Sequence, residues 1–288
     1  PAQWFAKMIR QDLQTILSGK TLPDAYLGGR AVLDEMGKQI MHLKCEAPFE
    51  RLFFNTEAAE KLCAMADKIS RFIAGEEKIL EDAAGCLSTT QMELVNARLI
   101  ALKDAAWSLQ KDILENIDRI KQLAGIDHVA AMTPAALEKY SKINFLLNTL
   151  DRLEVRGRDS AGVQLLLTLK DGKAFSKVIE QLNKAGLYDE FLVRTHPGDL
   201  VDGSIHLAED GPTRKQAAKG RQALSFTYKT SSIIGELGLN VRNLRTSIAA
   251  DRVFQAFAGQ EALFETSFAH TRWASVGSIT EENCHPVN

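Results

Sequence analysis

Residues 88–124 constrain the fold more than any other part of this sequence. Met92, Val95, Leu99, Leu102, Ala106, Leu109, Ile113, Ile117 and Ile120 step by three and four. That spacing lays one apolar seam along a single long helix, close to a coiled-coil pattern. Ser88 with Gln91 forms a capping-box start, and Gly125 supplies a stop. A helix this long cannot bury its stripe alone. The spacing therefore predicts an antiparallel helical hairpin or small bundle.

The residues before it read the same way. Trp4, Phe5, Met8, Ile9, Leu13, Ile16 and Leu17 mark one apolar helical face that ends at Gly19. A second helix is expected over 24–43, weakened by Gly28, Gly29 and Gly37, and a third over 48–84. Composition shifts near residue 132, since only seven of the 19 glycines precede it. Thr133 as N-cap and Pro134 at the first helical position restart a helix that runs to Arg156-Gly157. Strands are expected over 163–169, 224–228 and 267–274. Helices are expected over 176–185 and, in two pieces, over 237–257. Residues 196–220 read as loop. The fold class is α+β, with an all-α helical hairpin or bundle over 1–132 and a mixed domain over 133–288.

The overall chemistry excludes several classes. The chain is 45% hydrophobic and 25% charged with net charge -2, unlike a disordered chain. With 35 basic against 37 acidic residues it lacks the excess of a phosphate-tracking nucleic-acid binder. No apolar run approaches the roughly 18 residues of a membrane span, and no signal peptide is visible. Four cysteines without a CxxC pair suit neither a disulfide scaffold nor a metal site. The reading is cytoplasmic, with no metal, no cofactor, no nucleic acid and no membrane.

Two stretches carry chemistry. Around 152–163 a helix ends, a Gly-bearing turn follows and a buried strand begins. Arg156 and Asp159 flank that turn, close enough to pair or to orient a polar site. Around 268–277, strand alternation points His270, Arg272 and Ala274 one way and Thr271 and Trp273 the other. A guanidinium at a strand end, before the Ser275-Val276-Gly277 turn, offers a planar fork for a ligand carboxylate. Trp273 could wall such a pocket. The plainer alternative is an Arg paired internally and a Trp in the core.

These stretches also read as motifs. Arg152-Leu153-Glu154-x-Arg156-Gly157-x-Asp159-Ser160-Ala161-Gly162 resembles RLEYRGYDSAG of the glutaminase domains of the glucosamine-6-phosphate synthase family. Ala269-His270-Thr271-Arg272-Trp273-Ala274 is similar to AHTRWAT, and Asn283-x-His285-Pro286 to NAHPH. Gly235-Glu236-Leu237-x-x-Asn240-Val241-x-x-Leu244 resembles the segment that joins them. The resemblance covers about residues 134–288, and the helices before it match no family we can name.

The resemblance implies a type 2 glutamine amidotransferase of the N-terminal-nucleophile hydrolase fold, an αββα sandwich, here partial and preceded by the helical insertion. It implies that an N-terminal cysteine attacks the glutamine amide with its own α-amino group as base. Glutamate and ammonia result, and ammonia passes to a sugar-isomerase domain acting on fructose 6-phosphate. It also implies that Arg272 holds the glutamine α-carboxylate, that Trp273 shapes the pocket, and that Ser275, in place of Thr, hydrogen-bonds the substrate. Arg156 would stand beside the entrance, with Asp159, Ser160, His270 and Gly277 supporting the site.

There are departures. None of Cys45, Cys63, Cys86 or Cys284 sits in a nucleophile-bearing strand. Cys45 and Cys63 read as helical packing residues, Cys86 follows a helix end, and Cys284 replaces the Ala of NAHPH. The catalytic Cys is expected upstream of Pro1, and the oxyanion Asn-Gly beyond Asn288, so no catalytic residue is assigned within the chain. Val276 replaces a His of the family, and residues 171–222 have no assigned role. Two other readings stand beside this one: a non-catalytic module that binds glutamine and regulates a partner, and a helical interaction scaffold. The helical seam also leaves a homo-oligomer open.

Overall fold

The computed structural model describes residues 2–83, 85–196, 204–208, 222–232, 236–273 and 277–286. The chain forms two compact units, Pro1–Asp118 and Arg119–Asn288. The division falls inside a helix, ahead of the composition shift near 132.

The first unit is helical. It contains α1 (Ala2–Ile9), α2 (Leu13–Leu17), α3 (Arg30–Leu43), α4 (Glu46–Phe53), α5 (Thr56–Asp82) and α6 (Thr89–Trp107). A π-helical segment, Ser108–Leu114, joins α6 to α7 (Glu115–Leu123). The seam behaves as its spacing predicts: Val95, Leu99, Leu102, Ala106, Leu109 and Ile113 are buried. At its start both arms of the capping box form, Gln91 N to Ser88 Oγ at 3.3 Å and Ser88 N to Gln91 Oε1 at 2.9 Å. Helix α5 lies antiparallel to it. Glu77 pairs with Lys103 at 2.6 Å, while Ser70, earlier in α5, accepts from Gln110, later in the seam, at 3.0 Å.

The first three expected helices are each broken, and local capping gives the reason. Asp12 accepts from Thr15 N at 2.9 Å and starts α2 afresh. Asn55 accepts from Ala58 N at 2.9 Å and separates α4 from α5. Leu27, Gly28 and Gly29 all take positive φ, so the helix expected from residue 24 begins only at Arg30, after a 3-10 turn. Cys45 and Cys63 do not pack inward; both are exposed.

Glu76 of α5 is buried and accepts from Leu13 N at 2.9 Å. Burial raises its carboxyl above the ordinary value, and the bond from Leu13 only partly offsets this. A raised acid stabilises the fold below its unfolded value of 4.5 and loses that contribution as pH rises through the folded value. Glu76→Gln keeps an acceptor for Leu13 and carries no charge. Its urea midpoint should therefore gain on wild type between about pH 4 and pH 8. A constant difference across that range would show that Glu76 is not desolvated.

The second unit mixes helices with one four-stranded antiparallel sheet among the described residues. Its elements are α8 (Pro134–Leu153), β1 (Ser160–Leu169), α9 (Gly172–Ala185), α10 (Tyr188–Arg194), β2 (Ile205–Ala208), β3 (Ala223–Ser231), α11 (Leu239–Ala250), α12 (Arg252–Ala258) and β4 (Ala262–Arg272). The strand order is β2-β3-β1-β4. Strand β2 lies inside the stretch expected to be loop. Four residues carry too little alternation to be seen, and pairing with β3 makes the strand.

Strand alternation divides the sheet into two faces. On one, Val163, Leu165 and Leu167 of β1 and Leu224 and Phe226 of β3 are buried. Phe226 meets Phe254 and Phe257 of α12, and Tyr140 of α8 meets Phe254 edge-on at 5.5 Å. On the other face, β4 leaves Phe264 and Phe268 about half exposed. Among the described residues, no helix is long and apolar enough to cross a membrane.

Candidate functional site

The motif residues gather at the end of β1 where the strand begins. Register places Ser160 between Ser231 of β3 and Arg272 of β4, and Gly162 between Lys229 and His270. A period of two puts Ser160, Gly162, Lys229, His270 and Arg272 on the same face, opposite the aromatic core.

The turn leading into β1 is pinned on both sides. Asp159 N donates to Arg272 O at 3.1 Å, and Asp159 O accepts from Ser232 N at 2.8 Å. Glu154, fully buried, accepts from Gly238 N. Asn240, also fully buried, donates to Arg158 O at 2.7 Å. The described part of the Gly235–Leu244 segment thus braces the Arg152–Gly162 segment.

Two glycines explain why the segments can meet. Gly157 has an ordinary extended φ, but a Cβ there would stand 2.6 Å from Thr271 Oγ1 and 3.0 Å from Arg272 N. Gly162 lies directly beneath the backbone of the 277–286 segment, where a Cβ would collide with His285 O and approach Pro286 Cδ to 2.7 Å. That contact seats the Asn283–Pro286 motif on the sheet.

Arg272 Nη1 donates to Asn283 O at 2.9 Å, so the second and third motifs are joined through the residue expected to hold a carboxylate. The His270 and His285 rings meet edge-on at 5.2 Å. Burial, then the charges of His285 and Arg272, lower the His270 value, so its imidazole is neutral at physiological pH. Ser160 is buried at the strand start, beside the Cys284 thiol. Gly277 takes φ +87, and a Cβ built there would stand 3.5 Å from Arg272 Nη2.

Other expected residues stand apart. Trp273 is 63% exposed, so a core position does not describe it. Arg156 is exposed. Ser275 and Val276 lie outside the described residues, as do Ala274 and Gly235.

No match to this chain is found among protein-family models, curated proteins or solved structures.

Sequence reasoning missed Lys229. Its ammonium is buried with no hydrogen-bond partner among the described residues, on the face that carries Ser160 and Arg272. Burial lowers its value, and Cys284, Glu281 and Glu282 offset this only in part. The signal that could have found it is the alternation Ser225, Thr227, Lys229 along β3. Cys284 is fully buried, its thiol raised by burial and donating to His285 O. A protonated, covered thiol is a poor nucleophile. The arrangement is equipped to hold a polar ligand more than to attack one. Among the described residues no cluster of three His, Cys, Asp or Glu could hold a metal.

Proposed function

We propose that residues 133–288 form part of a type 2 glutamine amidotransferase domain and that the face bearing Arg272 recognises glutamine. One observation carries the reading. Three segments far apart in sequence, each resembling a motif of that family, converge on the same end of β1 and are joined through Arg272. Helices on one face of the sheet and exposed Phe264 and Phe268 on the other are compatible with half of an αββα sandwich. In this reading Arg272 holds the α-carboxylate, and the ammonia released serves a sugar-isomerase domain acting on fructose 6-phosphate. Cys45, Cys63 and Cys86 are exposed on helical elements or their ends and Cys284 is covered, so the nucleophile is assigned outside these residues.

Binding and turnover separate the readings. Isothermal titration should show L-glutamine binding to the 288-residue chain. Arg272→Ala should weaken it by about 2–3 kcal/mol, the scale of a charge-assisted hydrogen-bond pair, with D-glutamine binding poorly. The same chain should release no glutamate. Glutamine heat unaltered by Arg272→Ala would overturn the assignment of Arg272. Turnover by the isolated chain would overturn the placement of the nucleophile.

A further inference from the structure

The helical unit carries a half-open apolar cleft of about 380 Å³ that the described side chains leave unfilled. Protein interiors pack closely and hold few voids larger than a water molecule. Met36, Ile40 and Leu43 of α3 line one side, and Leu62 and Ile69 of α5 another. Leu109 closes it from the π-helical segment.

Water is a poor occupant. A buried water needs two to four polar partners. Of the lining residues only Gln39 and His42 are polar, and the Gln39 amide is already engaged at both ends. Its oxygen accepts from Trp4 Nε1 at 3.2 Å, and its nitrogen donates to Glu35 Oε1 at 3.3 Å. His42 is exposed and marks the mouth. The neighbouring ions do not favour a charged guest, because Lys44 and Asp112 satisfy each other at 2.5 Å and the Glu35 carboxylate is held by the Gln39 amide.

The π-helical segment is an independent sign. Such stretches are rare and appear mostly at functional sites. Here it interrupts an otherwise regular seam at the residue that lines the opening. It is held from two sides, by Lys44 on Asp112 and by Ser70 on Gln110. An apolar cavity of about 150 Å³ admits a benzene ring, so this volume suits roughly ten to fifteen non-hydrogen atoms.

We propose that the helical unit is a binding site for an uncharged, hydrocarbon-rich small molecule, seated among α3, α5 and the π-helical segment with its polar end at His42. This role is independent of glutamine recognition by the second unit.

The test uses the full chain and three probes of one length: 1-octanol, octanoate and octylammonium. Octanol should raise the unfolding midpoint saturably and give a measurable titration. The two ions should bind at least about tenfold more weakly. Ala58→Phe fills the opening from the first turn of α5 and leaves the backbone bond from Ala58 N to Asn55 intact. It should keep the helical circular dichroism of wild type and weaken octanol binding by at least about tenfold. If that variant does not fold, Leu62→Phe fills the same space from the deeper wall. No octanol effect on wild type, an equal effect in a folded filled variant, or tighter binding of octanoate than octanol would each overturn the proposal.

Discussion

Asp251→Ala should lower the unfolding free energy by about 3–5 kcal/mol, the largest single-residue effect expected in the second unit. Asp251 is the hub of a buried ionic network. Arg194 Nη1 and Nη2 meet its two carboxylate oxygens at 2.8 and 2.6 Å, and the Tyr228 hydroxyl donates to Oδ2 at 2.7 Å. The side chains of Asp251 and Arg194 are 4% and 14% exposed. Removing the carboxylate strands a guanidinium and a phenol inside the unit, which costs more than the pair itself contributes. It also removes the cap of α12, where Asp251 Oδ1 accepts from Phe254 N at 2.8 Å. Asp251→Asn keeps the cap through its single amide oxygen but turns an amide nitrogen toward Tyr228 and Arg194 and loses the charge, so it should fall between wild type and alanine.

The same network sets a pH limit. Burial alone would raise the Asp251 carboxyl, but the bonds and charge of Arg194, the Phe254 amide and the Tyr228 hydroxyl outweigh it and hold the value below the ordinary one. A depressed acid contributes stability above its unfolded value of 3.8, and that contribution is lost as pH falls through the folded value. Wild type should therefore lose stability relative to Asp251→Ala below about pH 4, and the two should converge in acid. Denaturant titrations across pH 2.5–7 measure this. A gap that stays constant into acid would show that the charge of Asp251 is not what matters.

What sequence reveals here follows the range of the interaction. The capping box at Ser88 and the Thr133-Pro134 restart are settled within four residues, and both are visible in the sequence. So is the burial of the seam, since each of its residues faces the same way whatever packs on it. The breaks at Asp12 and Asn55 are equally local, but apolar spacing runs across them without a gap, and periodicity does not weigh a cap against one more helical turn. Strand β2 is four residues long and exists through its pairing with β3. Lys229 shows the same limit at the site. The alternation along β3 places it on the polar face, but its burial depends on the distant segment that carries Cys284. Composition places the helical-to-mixed change near 132, whereas compact packing divides the chain at Asp118.

Gly162→Val should detach the 277–286 segment from the sheet and expose Cys284. The collision is with the backbone carbonyl of His285 and the ring of Pro286, so no flexible side chain can move aside. Either β1 bends away from both of its neighbours or the shorter segment lifts. Strand β1 is paired over its length with β3 and β4, while the segment is held by fewer contacts, so the segment should yield. Three consequences go together: Cys284 loses its cover, the His270–His285 contact opens, and Arg272 loses the Asn283 carbonyl. Overpacking of this kind costs about 1–3 kcal/mol, less than the loss of Asp251. Its effect on access is larger, because a fully covered thiol becomes solvent-exposed. With Cys45, Cys63 and Cys86 changed to Ser, maleimide labelling reports Cys284 alone. Labelling should be slow in that background and at least about a hundredfold faster with Gly162→Val, the ratio for an opening made about 2.7 kcal/mol easier. Glutamine affinity should fall in parallel if Arg272 is oriented by Asn283. Fast labelling with unchanged glutamine binding would separate the two, leaving Gly162 responsible for seating the segment and Arg272 positioned by β4 alone. Slow labelling would mean that the strand, not the segment, gives way, and that the junction of the first and third motifs is stiffer than its contacts suggest.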